Sequence, residues 1–166
     1  FMTEYGMQSF PSMSMVQSFT HEKDRSLDSD VMNAHQKASL GTGNLMKYIE
    51  DYYSVNDDFE SIVGLSQIMQ AEAIRFAVEA HRRNMPYCMG TLYWQFNDCW
   101  PVISWSSIDY GGNWKALHYA ARKFFSPILV SIRDLDDKIE IHVINDQHHE
   151  VESRIRLGLF NLNGDI

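Results

Sequence analysis

Glu4 is a residue whose type and position could carry chemistry. It lies where a predicted strand, residues 1–6, runs into a long loop, and its neighbours are Thr3, Tyr5 and Gly6. A carboxylate in such a position can act as a nucleophile or as a general base. The adjacent tyrosine hydroxyl could donate a hydrogen bond that favours the ionised form. The plain alternative is a glutamate that only caps a turn or pairs with a cation.

A second cluster of aromatic and polar residues follows a predicted strand later in the chain. It is formed by Trp94-Gln95-Phe96-Asn97-Asp98-Cys99-Trp100-Pro101 and by Ser104-Trp105-Ser106-Ser107. Sugars present apolar C–H faces ringed by hydroxyls, so a site that holds them needs an aromatic platform with amide and carboxylate groups at its edge. Tryptophan, asparagine and aspartate within a few residues supply that combination. The alternative is an aromatic core at the end of the strand.

The hydrophobic pattern predicts the elements that would position these residues. Apolar residues at helical spacing predict a helix over residues 60–83, and residues 114–125 predict a second one. Residues 87–96 have the pattern of a strand buried on both faces, which is typical of parallel sheets. Residues 7–58 are polar and irregular, with helical character only over residues 45–53. The predicted order of elements is strand end, loop, helix, strand, loop and helix. This order fits the last quarter of a (β/α)₈ barrel or part of a doubly wound sheet. In a barrel, Glu4 and the aromatic cluster would lie at the same face.

The pattern changes near Pro127. Alternation of apolar and polar residues, interrupted by Asp-Asp and Asn-Asp turns, predicts antiparallel strands over residues 128–132, 138–143 and 151–159. We therefore expect an α/β chain in two parts. Residues 1–126 would be the C-terminal portion of a TIM (β/α)₈ barrel, and residues 127–166 the start of an immunoglobulin-like antiparallel β-sandwich domain.

Composition and charge exclude several classes of function. The 166 residues carry 14 basic and 22 acidic side chains, a net charge of −8, so a nucleic-acid partner is not expected. No apolar run approaches the roughly 18 residues of a membrane span, and no membrane insertion is expected. Two cysteines are too few for a disulfide framework. The seven histidines lack ligand-like pairing with carboxylates or thiols, so neither a metal nor a cofactor is predicted.

Four ordered blocks of the sequence resemble the family 2 β-mannosidases of the glycoside hydrolases. Residues 3–12, Thr-Glu-Tyr-Gly-Met-Gln-Ser-Phe-Pro-Ser, are similar to the nucleophile segment of these enzymes. Residues 90–101, Gly-Thr-Leu-Tyr-Trp-Gln-Phe-Asn-Asp-Cys-Trp-Pro, are similar to their eighth barrel strand and its loop. Residues 65–72 and 115–119 resemble the last two barrel helices. The four-residue motif alone is weak, whereas four blocks in order and spacing are specific.

The resemblance implies a retaining exo-β-mannosidase that removes terminal β-linked mannose from oligosaccharides or glycoprotein glycans by double displacement. It implies that Glu4 is the nucleophile and that Trp94 lines the subsite of the terminal sugar. The family pattern also contains Asp98 and Trp100 but does not fix their roles, and we expect both in the pocket wall. The family's acid/base glutamate, in an Asn-Glu pair on an earlier strand, has no counterpart here. The fragment alone is therefore expected to be inactive. Such enzymes occur in lysosomes, in bacterial periplasm and outside cells.

Two other interpretations stay open at this point. One is an exo-β-glucosaminidase or another family 2 glycosidase, since these relatives share the Tyr-Trp arrangement of the eighth strand. Gln95 and the Met-Gln-Ser-Phe-Pro pattern favour the mannosidase. The other is a non-catalytic carbohydrate-binding or structural fragment. An Asn-Glu pair on a strand upstream of Phe1 would favour the enzyme.

Overall fold

A computed structural model describes residues 1–55 and 58–164 of the chain. The elements follow one another as β1 (Met2–Tyr5), α1 (Met13–Phe19), a single 3₁₀ turn (Glu22–Asp24), α2 (Asp30–Ala34), α3 (Gly41–Tyr52), α4 (Phe59–Arg83), β2 (Thr91–Tyr93), α5 (Ala116–Phe124), β3 (Ile128–Leu135) and β4 (Lys138–Asn145). The described residues thus combine helices with two separate two-stranded sheets.

Strands β1 and β2 are parallel neighbours, as the sequence predicts. Met2 lies beside Thr91 and Tyr5 beside Tyr93, with an irregularity of register at Glu4. The strand predicted over residues 87–96 is, however, much shorter than expected and is not buried on both faces. The Leu92 side chain is 57% exposed, because α4 and α5 pack against only one side of this sheet.

Helix α4 is the longest element and confirms the prediction over residues 60–83. Asp58 caps its start by accepting the backbone N–H of Ser61 at 2.9 Å, and Pro86 follows its end. Its apolar face packs against α5 in one cluster, to which both strands contribute a tyrosine. The members of this cluster are Ala71, Ile74, Val78, Leu117, Ala121 and Phe124, with Tyr5 and Tyr93 packed against them.

The described part of the region predicted to be irregular, residues 7–58, contains two short α-helices and a 3₁₀ turn besides α3. Ser12 caps α1 and Ser29 caps α2, each by accepting a backbone N–H three residues on. These helices have 7 and 5 residues, too few to show a helical period. They bury apolar residues in a second cluster with α3 and α4, which contains Phe10, Val16, Met32, Leu45, Ile49, Ile62, Val63 and Ile103.

Strands β3 and β4 form an antiparallel hairpin that packs on the end of α4. Ser131 Oγ donates to Glu79 Oε2 at 2.5 Å, and Arg82 forms an ion pair with Asp146 at 2.8 Å. The prediction of a strand over residues 151–159 is wrong, since these residues form neither helix nor strand and are exposed. An alternating segment becomes a strand only where neighbouring backbone offers hydrogen bonds. Within the described ranges, no helix is long and apolar enough to cross a membrane.

Candidate functional site

Glu4 and Trp94 lie at the same ends of the two parallel strands. The backbone N–H of Trp94 donates to Tyr5 O at 2.8 Å, so the chain leaves both strands side by side. Glu4 is exposed and has a φ of 57°, which is the left-handed region. For a residue other than glycine this conformation costs on the order of 1–3 kcal/mol and is concentrated at functional sites. The Trp94 side chain is 49% exposed, so part of its ring can contact a ligand.

Gly6 sets how closely the loop after Glu4 approaches the loop after Trp94. A Cβ atom at Gly6 would lie 2.2 Å from Trp94 O and 3.0 Å from Cδ1 of Trp105. Only glycine leaves room for this approach. Gln95 N–H also donates to Trp105 O at 3.1 Å. The two loops that carry the candidate residues are therefore in direct contact.

Tyr5 does not bind Glu4, in contrast to the sequence-based expectation. Its hydroxyl lies 2.5 Å from Thr91 Oγ1, and its ring meets the His81 ring edge-on at 5.1 Å. Burial raises the pKa of the Tyr5 hydroxyl, and the hydrogen bond with Thr91 opposes that shift. Tyr5 packs on the helical side of the sheet. No hydrogen bond to the Glu4 carboxylate forms among residues 1–55 and 58–164.

Asp98 is a buried residue of the loop that follows β2, four positions after Trp94. Its carboxylate accepts hydrogen bonds from Ser106 Oγ at 2.7 Å and from Gln95 Nε2 at 3.3 Å. Burial raises the pKa of this carboxyl, and the serine hydrogen bonds act against that shift. The side chain is only 6% exposed, so it orients Gln95, the neighbour of Trp94, from within the protein.

Trp100 belongs to an aromatic stack that joins the loop after β2 to the region of α1 and α2. Its ring lies 5.2 Å from the His35 ring at 23°, and His35 stacks in turn on Phe19 at 4.0 Å. Lys37 Nζ lies 4.8 Å from the centre of the Trp100 ring. His35 Nδ1 is also 2.6 Å from Pro101 O. The half-buried ring of Trp100, in the loop after β2, is thus fixed against His35 and Lys37, which follow α2.

Gln70 of α4 is a buried polar residue that the sequence analysis missed. It is fully inaccessible to solvent. Its Nε2 donates to Met7 O at 2.8 Å and to Ser106 O at 3.2 Å, and its Oε1 accepts from Ser9 Oγ at 2.8 Å. A glutamine on the apolar face of a predicted helix was the available signal. Gln70 ties α4 to both candidate loops.

Lys115 is a second buried residue that joins the same loops. Its Nζ donates to Ser9 O at 3.4 Å and to Ser104 O at 3.3 Å. Ser9 and Ser104 also exchange two backbone hydrogen bonds, of 2.9 and 3.2 Å. Burial lowers the pKa of Lys115 to about 7, although the charges of Asp98 and Asp109 act in the opposite direction. The layer behind the candidate site is therefore polar but nearly closed to water.

The buried lysine should make stability depend on pH. Its folded-state pKa lies below the unfolded value of about 10.4, so the unfolded chain binds more protons between these limits and stability rises with pH there. Below pH 7 both states are protonated and the full cost of burying the charge remains. We expect the free energy of unfolding of wild type, relative to Lys115→Met, to increase by up to about 1.4 kcal/mol per pH unit above pH 7.

Urea titrations between pH 6.5 and 9.5 measure this dependence. Lys123→Met is the matched control, because Lys123 lies on α5, the helix that directly follows Lys115, and is exposed. A difference between wild type and Lys115→Met that stays constant over this range, as with the control, would contradict a lowered pKa at Lys115.

Comparison with known sequences finds β-mannosidases that match most of the chain. No family model matches it. The β-mannosidase of Capra hircus is 34% identical over 172 residues, which cover 95% of this chain and 20% of the relative. The β-mannosidase of Bos taurus is 37% identical over 150 residues, covering 82% of this chain and 17% of the relative.

Comparison with solved structures agrees. The β-D-mannosidase of Dictyoglomus thermophilum superposes with a TM-score of 0.85 at 37% identity, covering 88% of this chain and 18% of that one. An exo-chitosanase of Amycolatopsis orientalis gives a TM-score of 0.69 at 20% identity, over 83% of this chain and 17% of that one. The latter likeness concerns the fold alone.

These matches define the chain as part of a glycoside hydrolase, and the neighbours are consistent with family 2. Within that class the chain belongs to the β-mannosidase family. It spans about one fifth of the length of the curated relatives it matches.

Proposed function

We propose that the protein containing this chain is a retaining exo-β-mannosidase in which Glu4 is the nucleophile. The observation that carries the proposal is the pair of Glu4 and Trp94 at the same ends of two parallel neighbouring strands. Both side chains are exposed. The substrate would carry a β-linked mannose, as the names of the relatives suggest. The resemblance in sequence implies that this mannose is the terminal residue of an oligosaccharide or a glycoprotein glycan.

The chemistry that fits this pair is a double displacement. The Glu4 carboxylate attacks the anomeric carbon while an acid protonates the leaving oxygen, and water then hydrolyses the covalent glycosyl-enzyme. The second carboxyl would stand about 5–5.5 Å from Glu4, and the family resemblance assigns it to an earlier strand. The exposed ring of Trp94 would lie against the C–H face of the terminal sugar. This step requires neither a metal nor a cofactor.

The architecture proposed for the site is the C-terminal portion of a TIM barrel. One support is the arrangement of β1 and β2, which are parallel neighbours with α4 and α5 packed against one side. The other is the position of the candidate residues, because TIM barrels carry their catalytic residues at the C-terminal ends of the strands. Residues 127–166 would begin the following β-sandwich domain, for which the β3–β4 hairpin is the support.

Asp98 and Trp100 would contribute to the site mainly by supporting it. Asp98 holds Gln95, and thereby the backbone next to Trp94. Trp100 would form the outer part of the pocket wall, fixed by its stack on His35. These roles fit a buried carboxylate and a half-buried ring better than direct contact with the reacting bond.

The sugar preference distinguishes this proposal from an exo-β-glucosaminidase. The comparison at 34–37% identity with β-mannosidases supports mannose, whereas the exo-chitosanase shares only the fold. We expect kcat/KM for an aryl β-mannoside to exceed that for the matching aryl β-glucosaminide by at least about 10²-fold. A pocket that binds the axial 2-hydroxyl of mannose has its polar groups left unpaired when glucosamine, with an equatorial 2-amine, occupies it. Steady-state kinetics of a full-length protein containing this segment provide the test. A preference for the glucosaminide would overturn the proposal.

A further inference from the structure

Lys115 is a buried charged residue that the proposed reaction does not use directly. It immediately precedes α5, and its backbone N–H donates to Ser107 O at 3.0 Å. Its side chain is fully inaccessible to solvent and ends between two loops, where Nζ donates to Ser9 O and to Ser104 O. Burying an ammonium is costly, so a lysine in this place has to be explained by what its charge does there.

The two carbonyl groups that Lys115 binds belong to the point at which the candidate loops meet. Ser9 lies in the loop that follows β1, and Ser104 lies in the loop that follows β2. Each carbonyl oxygen also accepts the backbone N–H of the other serine, at 2.9 and 3.2 Å. Hydrogen bonds from a charged donor are stronger than those from a neutral one. The ammonium of Lys115 therefore reinforces the contact between the loops from behind.

Trp105 connects this contact to the candidate site. It follows Ser104 directly, and its carbonyl oxygen accepts the backbone N–H of Gln95 at 3.1 Å. Its indole Cδ1 atom lies 3.0 Å from the position that a Cβ atom at Gly6 would take. Gln95 adjoins Trp94 in the chain, and Gly6 lies two positions after the candidate nucleophile. A shift between the two loops would therefore move the ring of Trp94 relative to the nucleophile.

The charge of Lys115 also acts on two buried carboxylates. Asp98 and Asp109 are 6% and 2% exposed, and the charge of each favours the protonated form of Lys115. Asp98 accepts from the amide of Gln95 in the loop after β2, and Asp109 accepts from the backbone N–H of Ser12 in the loop after β1, at 3.2 Å. Each carboxylate thus fixes one of the two loops. When Lys115 loses its proton, both anions lose a stabilising charge.

The helices packed around this layer contribute groups that stay uncharged at and above pH 7. From α4, Gln70 donates to Ser106 O at 3.2 Å, and Gln67 accepts the backbone N–H of Ala116 at 3.2 Å. From α5, His118 Nδ1 lies 3.1 Å from Ser107 Oγ. Burial lowers the pKa of His118 from its ordinary value of about 6.5, so its imidazole is neutral in this range.

We propose that Lys115 is a positioning residue for the attack by Glu4, and that its ammonium holds the loop after Glu4 against the loop after Trp94. The inference rests on the proposed function, in which Glu4 attacks the anomeric carbon of a sugar that lies against Trp94. Lys115 contacts neither the sugar nor the reacting atoms. It acts through the contact of Ser9 with Ser104, and thereby sets the distance and angle of the attack, to which reaction rates are sensitive.

The activity of the full-length protein as a function of pH tests this role. The substrate is 2,4-dinitrophenyl β-mannoside, because its leaving group departs without a proton and kcat/KM then does not follow the titration of the acid/base carboxyl. Wild type should exceed Lys115→Met by about tenfold at pH 6, since misplacing a reacting group by about 1 Å can cost about 10²-fold. This ratio should fall below about twofold at pH 8.5, where Lys115 has lost its proton, because burial lowers its pKa to about 7. Lys123→Met, which changes an exposed lysine of α5, is the control and should match wild type at each pH.

The dependence of this ratio on pH separates positioning by charge from a purely structural role. A loss in Lys115→Met that is the same at pH 6 and pH 8.5, or no loss at either, would overturn the proposal. If Lys115→Met does not fold, the wild-type profile decides alone. A fall in kcat/KM of about tenfold between pH 6 and pH 8.5 supports the proposal, and a flat profile overturns it. A wild-type protein that does not cleave this substrate would refute the proposed function itself, and this inference with it.

Discussion

Replacing Glu4 by alanine in a full-length β-mannosidase that contains this segment is expected to lower kcat by at least roughly 10⁴-fold, the scale seen when an essential catalytic side chain is removed. KM should change little, because the substitution removes the attacking oxygen and little binding surface. Glu4 is exposed at a strand end, and its carboxylate has no hydrogen bond within the described residues, so its loss should not unfold the protein. Steady-state kinetics with an aryl β-mannoside measure the effect.

Azide separates a lost nucleophile from general damage to the site. In Glu4→Ala, added azide should restore part of the turnover and give an α-configured mannosyl azide, since the small anion enters from the face that the carboxylate occupied. Glu50→Ala is a suitable control, because Glu50 is an exposed glutamate on α3. Hydrolysis by Glu4→Ala close to the wild-type rate would eliminate Glu4 as nucleophile.

The 166-residue chain by itself is expected to have no measurable mannosidase activity. Retaining hydrolysis needs a second carboxyl to protonate the leaving oxygen, and general acid catalysis alone contributes about 10²–10⁴-fold. Two acidic side chains of the loops after β2 are already used inside the protein. Asp98 binds Ser106 and Gln95, and Asp109 accepts from Ser12 Oγ at 2.5 Å and from Asn113. An assay of the purified chain with an activated aryl β-mannoside tests this expectation.

Turnover that follows the purified chain through chromatography and disappears in Glu4→Gln would contradict the incomplete site. It would also mean that a carboxyl within this chain supplies the proton. A buried acid with a raised pKa, such as Asp98, would then be the first candidate, because such a group retains its proton to higher pH.

The elements predicted well from sequence are those whose signals are long or locally reinforced. Helix α4 shows seven turns of apolar periodicity with a capping aspartate, and the β3–β4 hairpin shows alternation on both sides of a turn. Helices α1 and α2 were missed because their only local signals are single capping serines. The alternation of residues 151–159 predicted a strand, but these residues have no pairing partner among residues 1–55 and 58–164. An alternating pattern specifies which side chains share a face and does not specify which strand lies next to them.

The exposed residues of the candidate site could be predicted from the sequence, whereas the buried residues that hold its loops in place could not. The motif around Glu4 and the tryptophan cluster indicated which strand ends meet. The buried role of Gln70 depends on residues far away in the chain, such as Ser106, 36 positions on. That of Lys115 depends in part on Ser9, which is 106 positions away. A lysine such as Lys115 looks like an ordinary surface residue in a sequence. The hydroxyl of Tyr5 was likewise assigned to Glu4 by proximity in the chain, whereas its partner, Thr91, is on the neighbouring strand.

Covalent trapping tests the central claim, that Glu4 is the nucleophile, most directly. A 2-deoxy-2-fluoro-β-mannosyl fluoride slows both steps of a double displacement, and its good leaving group lets the glycosyl-enzyme accumulate. After proteolysis of the inactivated full-length protein, mass spectrometry should find one fluoromannosyl adduct, on the peptide that contains Thr3-Glu4-Tyr5-Gly6. An adduct on a different carboxylate, or continued turnover without any adduct, would contradict the account.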